Sequence, residues 1–107
     1  MRKLITAATI AALSFSNPAI AWDGISTGLV SRIDVVPGTG NYDTRVYLAG
    51  GQAFCNGQIW AAVNSNIPNY NAMTATLLTA KVTRSTVTVY TNKDAQGNCV
   101  IGYVSIS

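Results

Sequence analysis

The sequence contains no histidine and no glutamate. Without histidine, neither a Ser-His-Asp nor a Cys-His catalytic arrangement can be built. The only acidic side chains are four scattered aspartates, Asp23, Asp34, Asp43 and Asp94. None forms a motif with another carboxylate, so only folding could pair them as a glycosidase requires. Zinc calls for clustered Cys and His, and the two cysteines stand far apart and outside any Cys-x-x-Cys thiol-exchange motif. Asn92, Asp94, Gln96 and Asn98 alternate oxygens like a calcium loop but lack the acidic residue that closes one. Gly38-Thr39-Gly40 does not lead a strand into a helix, so it is a turn and not a phosphate loop. The expectation is a protein without catalysis, metal or cofactor.

What is present begins with a three-part leader. Arg2 and Lys3 are followed by an apolar run from Leu4 to Phe15, then Ser16-Asn17-Pro18 and the small-residue site Ala19-Ile20-Ala21. This is the pattern of a cleaved signal peptide over 1–21. The run is too short for a spanning helix of about 20 apolar residues, so no membrane span is expected after cleavage. The mature chain, 22–107, is one domain, secreted or periplasmic. The whole chain carries +3, but two of its cations lie in the leader. The mature part keeps Arg32, Arg45, Lys81, Arg84 and Lys93 against the four aspartates, close to neutral, with no basic patch for nucleic acid. Export and an even cysteine count predict a Cys55–Cys99 disulfide.

Alternation predicts strands over 25–36, 42–49, 58–63, 86–91 and 100–106. Leu29, Ile33 and Val35 supply the buried side of the first, and Gly28 marks a bend or bulge. A helix of about 14 residues starts near Pro68, with Asn66 as cap and Tyr70, Met73, Leu77 and Ala80 as its apolar stripe. The fold class is therefore mainly β with one helix. Strand, strand, strand, helix, strand, strand is the connectivity of a five-stranded OB-like Greek-key barrel. In that barrel the third and fifth strands are parallel neighbours, and the two cysteines fall at the same ends of both. A sheet with the helix on one face is the alternative. Trp60, Tyr47, Tyr70 and Tyr103 are expected in the core. Trp22, Asp23 and Tyr42 are candidate glycan-binding residues, because aromatic faces stack on sugar C–H groups while polar neighbours take the hydroxyls.

Ile67-Pro68-Asn69-Tyr70-Asn71-Ala72-Met73 and Leu77-Leu78-Thr79-Ala80, with a loop Cys before them and Val-Thr-Val and a Cys-opened strand after, resemble a segment of small exported bacterial proteins of uncharacterised function. A looser similarity, carried by the strand at 25–36 and the block at 60–89, reaches the B subunits of AB5 toxins of the subtilase-cytotoxin and pertussis-like type. That likeness implies an OB barrel, a pentameric ring and sialylated-glycan binding, with Ser26 nearest the position of the sugar-binding serine. The chain departs from those subunits in having only two cysteines. The expected function is an exported, non-catalytic binding module whose partner is a glycan. The alternative is an assembly subunit or inhibitor that docks on another exported protein.

Overall fold

The computed structural model describes residues 21–37 and 41–107. The leader assigned to 1–21 therefore lies, except for its last residue, outside the described residues, as does the centre of the turn at 37–41. Five strands and one helix follow in the order β1 (Gly24–Val35), β2 (Thr44–Leu48), β3 (Ala61–Val63), α1 (Tyr70–Thr83), β4 (Thr86–Lys93) and β5 (Cys99–Ile106). Single 3-10 turns occupy Ala49–Gly51 and Cys55–Gly57. The strands close on one another in the order β1-β2-β3-β5-β4, which differs from their order along the chain. All pairings are antiparallel except β3 with β5, which meet in parallel at Ala62 and Val100.

β1 closes the sheet by serving two partners. Residues 24–29 pair with β4, and 30–35 pair with β2. The register slips between Val30 and Arg32, leaving Ser31 as a bulge. Because side chains alternate with a period of two, one extra residue moves everything beyond it to the other face. Ser26 and Val30 are buried before the bulge, and Ile33 packs on the core after it. Leu29 and Val35, expected inside, are exposed. A second slip between Tyr90 and Thr91 leaves Gly102 unpaired in β5. Ile101 thus points in, Tyr103 points out, and Val104 returns to the core.

Of the expected core aromatics, only Tyr70 packs against the core. Tyr47, Trp60 and Tyr70 are half-buried and Tyr103 is 51% exposed. The interior is mostly aliphatic, with Phe54 its one buried aromatic among the described residues: Val46, Leu48, Val63, Leu77, Val87, Val89 and Ile101 are essentially inaccessible. A small closed barrel has room for such side chains and little else. β3 is also shorter than the sequence suggests. Phe54 N–H donates to the Gln58 carbonyl at 2.7 Å, and Gln58 N–H to the Cys55 carbonyl at 2.9 Å. This tight loop uses the main-chain groups that would have extended the strand.

α1 lays Leu77 and Ala80 fully into the barrel, with Tyr70 and Met73 packed against the same core. The N-cap position is Asn69, not Asn66, and no side chain caps it. Thr76 and Thr83 hydroxyls donate to carbonyls four residues back, at 2.9 and 2.8 Å. The Cys55–Cys99 disulfide joins the loop before β3 to the start of β5, with Cα atoms 5.7 Å apart. Gly24 runs so close to it that a Cβ would meet the Cys55 backbone at 2.9 Å. Such a bridge is the chemistry of an oxidising compartment. Among the described residues, no helix is long and apolar enough to cross a membrane.

Candidate functional site

The β4–β5 hairpin is organised by Asp94. Its carboxylate accepts the main-chain N–H groups of Gln96 (3.0 Å) and Asn98 (2.9 Å), closing the turn. It also accepts the Tyr42 hydroxyl. The Tyr42 bond, against a smaller cost of burial, and the turn N–H groups hold Asp94 below the ordinary carboxylate range. Tyr42 has a left-handed backbone, with φ of 58°. Its N–H donates to the Asn64 side chain at 2.7 Å. One residue in the loop after β1 thereby fixes two others, Asn64 after β3 and Asp94 after β4.

Between these anchored residues and the N-terminal half of α1 lies a groove of about 440 Å³. Asn64, Asn69, Asn92, Lys93 and Asp94 supply its polar lining, and Ile67, Met73 and Val100 its apolar lining. A second hollow of about 460 Å³ shares Asn69, Met73 and Gly102 and reaches Tyr103 and Val104. Together they form a trough along α1 and β5.

The residues singled out in the sequence distribute around this trough. Trp22 lies over Gly102, whose missing Cβ would stand 2.7 Å from the indole ring. The ring also meets Tyr90 (5.6 Å between centroids) and Tyr103 (6.4 Å), and those two tyrosines stack at 4.5 Å. Asp23 N–H donates to the Asn92 side chain at 3.0 Å, and its carboxylate accepts the Lys93 N–H at 2.7 Å. Trp22, Asp23 and Tyr42 thus each touch a residue lining the groove. Ser26 does not join them. It is buried in the barrel, and its hydroxyl donates to the Ala53 carbonyl at 2.8 Å. The first register of β1 turns even-numbered residues inward, which removes Ser26 from any surface site.

Sequence reasoning missed Asn64, Asn69 and Lys93. Asn64-Ser65-Asn66 reads in sequence only as a strand breaker, and nothing local pairs it with Tyr42, twenty-two residues away. On the outer side of β1 and β2, two cations stack on aromatic rings, and Arg45 also donates to the Tyr42 carbonyl at 3.3 Å. The Arg32 guanidinium lies 4.6 Å from the Tyr47 ring centre, and that of Arg45 lies 4.8 Å from Trp60. Arg32 also pairs with Asp34 at 2.8 Å.

The hydrogen bond and charge of Arg32 keep Asp34 low, and Asp34 in turn keeps Arg32 high. Asn98 draws the Tyr42 hydroxyl down, but the Asp94 carboxylate and partial burial outweigh it and raise it. Each of these shifts moves its group away from neutrality, opposite to what general acid–base chemistry needs. Among the described residues, no three His, Cys, Asp or Glu side chains cluster to hold a metal. No protein-family model matches the chain, and neither a curated protein nor a solved structure matches it.

Proposed function

We propose that the chain is an exported, non-catalytic binding module whose ligand is an oligosaccharide held in the trough between α1 and the β4–β5 hairpin. In this reading the fold is an OB-like Greek-key barrel, processed by removal of 1–21. The observation that carries it is Trp22 lying over Gly102 beside a groove lined by Asn64, Asn69 and Asn92. Side-chain amides each offer a donor and an acceptor, the pairing that a sugar diol requires. The indole offers the apolar face on which sugar C–H groups stack. Tyr42 and Asp23 position the amides from behind. Ser26 plays no part in this version, so the site differs from the one that the toxin-subunit likeness implies.

A glycan array probed with the purified, oxidised protein tests the reading. Saturable binding to an oligosaccharide, weakened at least about tenfold, or 1.4 kcal/mol, by Trp22→Ala is expected. A blank array from protein with native circular dichroism and an intact disulfide would remove the lectin function.

The alternative is an assembly subunit or inhibitor docking on another exported protein. Leu78 and Val82 favour it, being 48% and 81% exposed on the outer side of α1. Native mass discriminates. A pentamer supports the ring that the toxin-subunit likeness implies, and a strict monomer removes it.

A further inference from the structure

At the other end of α1 a third hollow, about 290 Å³ in volume, is lined by Leu29, Val30, Ser31, Ala49, Lys81 and Arg84. It brings two cations to one cavity and no carboxylate. The chain has no glutamate, and its four aspartates are engaged elsewhere. Asp23 holds the Lys93 N–H, Asp34 pairs with Arg32, Asp43 accepts from Ser65, and Asp94 closes the β4–β5 turn. Among the described residues the one ion pair is Arg32–Asp34, so neither Lys81 nor Arg84 is neutralised by an acid.

The backbone gives an independent indication. Arg84 ends α1 in the left-handed region, at φ 57° and ψ 41°, with its N–H on the Ala80 carbonyl. Helices end this way readily with glycine, which carries no Cβ penalty. An arginine there is held in a conformation that L-residues disfavour. The partial negative charge of a helix C-terminus accounts for a nearby cation such as Lys81. It does not account for a long side chain at the strained position itself. Positions of this kind, shared here with Tyr42 and Asn56, persist only where surrounding structure over-determines them, and they are enriched at ligand sites. The bulge in β1 places Ser31 in the same wall, where its hydroxyl donates to the Tyr47 carbonyl at 3.2 Å and leaves the two cations as the ligand donors.

We propose that this hollow is an oxyanion site that takes a phosphate or sulfate group, free or carried on a sugar. The guanidinium of Arg84 provides the planar donor fork that suits such oxygens, and Lys81 provides a second point charge. The volume sits at the lower edge of ligand pockets, about 300–1,000 Å³, which suits a small ion better than an extended chain. The site is independent of the trough at the opposite end of the helix.

The test is amide-resolved NMR titration of the oxidised protein with sodium phosphate and sodium sulfate, against chloride at equal ionic strength. Saturable shifts centred on Ser31, Ala49, Lys81 and Arg84 are expected, with a Kd of about 1–10 mM. A hexose phosphate binding more tightly than inorganic phosphate would identify an esterified ligand, and equal or weaker binding a free ion. Arg84→Gly separates function from folding. It should keep or raise the melting temperature, because glycine suits the left-handed position, while weakening anion binding at least about tenfold. Lys81→Ala should weaken binding with little change in stability. The proposal falls if neither anion gives saturable shifts beyond those of chloride, or if Arg84→Gly binds as tightly as the parent.

Discussion

The Tyr42 hydroxyl donates to the Asp94 carboxylate, joining the loop after β1 to the turn between β4 and β5. These residues are fifty-two positions apart, yet they share control of the same groove. Asp94 sets the turn, and Tyr42 sets Asn64 from the same backbone. Removing the phenolic oxygen should therefore loosen the groove without disturbing the core. Tyr42→Phe is expected to cost about 0.5–1 kcal/mol in urea unfolding at pH 7. A hydrogen bond to a charged group is worth more when buried, but solvent screens this one. Oligosaccharide affinity should fall with it, and unchanged affinity would show that the groove does not depend on the bond between Tyr42 and Asp94.

The same bond predicts an acid dependence. Asp94 titrates lower in the folded chain than in the unfolded one. Its contribution is therefore present above the unfolded carboxyl range, near pH 4, and is lost as pH falls through the folded value. Asp34, held down by its hydrogen bond to Arg32, adds loss in the same window. Stability should be flat from about pH 5 to 7 in these two groups and decline below about pH 4. Asp94→Asn should lower stability at neutral pH and flatten part of the acid decline. Urea midpoints at pH 7, 4 and 3 check this. An unaltered acid slope in the variant would mean that other carboxylates carry it.

The disulfide should account for a large part of the stability. Closing a loop between Cys55 and Cys99, forty-four residues apart, removes about 4 kcal/mol of unfolded-chain entropy in the simple model. Domains are stable by only about 5–15 kcal/mol in total. Reduction, or the double change Cys55→Ala and Cys99→Ala, should lower unfolding free energy by several kcal/mol. A loss under about 1 kcal/mol would place the constraint elsewhere, because strain or residual structure then cancels the loop term.

The parts legible in the sequence were those whose signal is local or covalent. Tyr70, Met73, Leu77 and Ala80 recur at helical spacing and face the barrel. Val87, Val89 and Thr91 alternate and are all buried. Cys55 and Cys99 are the only two cysteines, and they bond. What failed was phase. Ser31 and Gly102 each insert one residue into a ladder, and period-two reasoning carries the wrong face across such a point. Alternation alone puts Leu29 and Tyr103 inside, and both lie outside; Val35 shares the inward phase of Ile33 but sits exposed at the end of β1, and Ser26, named through the toxin-subunit likeness, lies inside. The groove was less legible still, because Asn64 comes from the loop after β3 while Asn92 and Lys93 come from the end of β4. Trp22, Asp23 and Tyr42 were noticed by residue type alone, and no spacing linked them.

Gly102 links the fold to the proposed ligand site, and one methyl group tests that link. A Cβ at this position would stand 2.7 and 2.9 Å from two carbons of the Trp22 ring. The indole is a side chain next to exposed Ala21, so it can yield where backbone could not. Gly102→Ala should therefore leave the fold intact and cost within the ordinary range of a point substitution, about 0.5–3 kcal/mol. It should displace the indole from Tyr90 and Tyr103, and each such aromatic pair is worth about 0.5–1.5 kcal/mol beyond its area burial. In a Trp60→Phe background Trp22 is the only tryptophan among the described residues, so its emission reports the change directly. A red shift with loss of oligosaccharide binding is expected in Gly102→Ala. A red shift with full binding would mean that the sugar does not stack on Trp22. An unmoved spectrum would mean that the ring does not rest on Gly102 in solution.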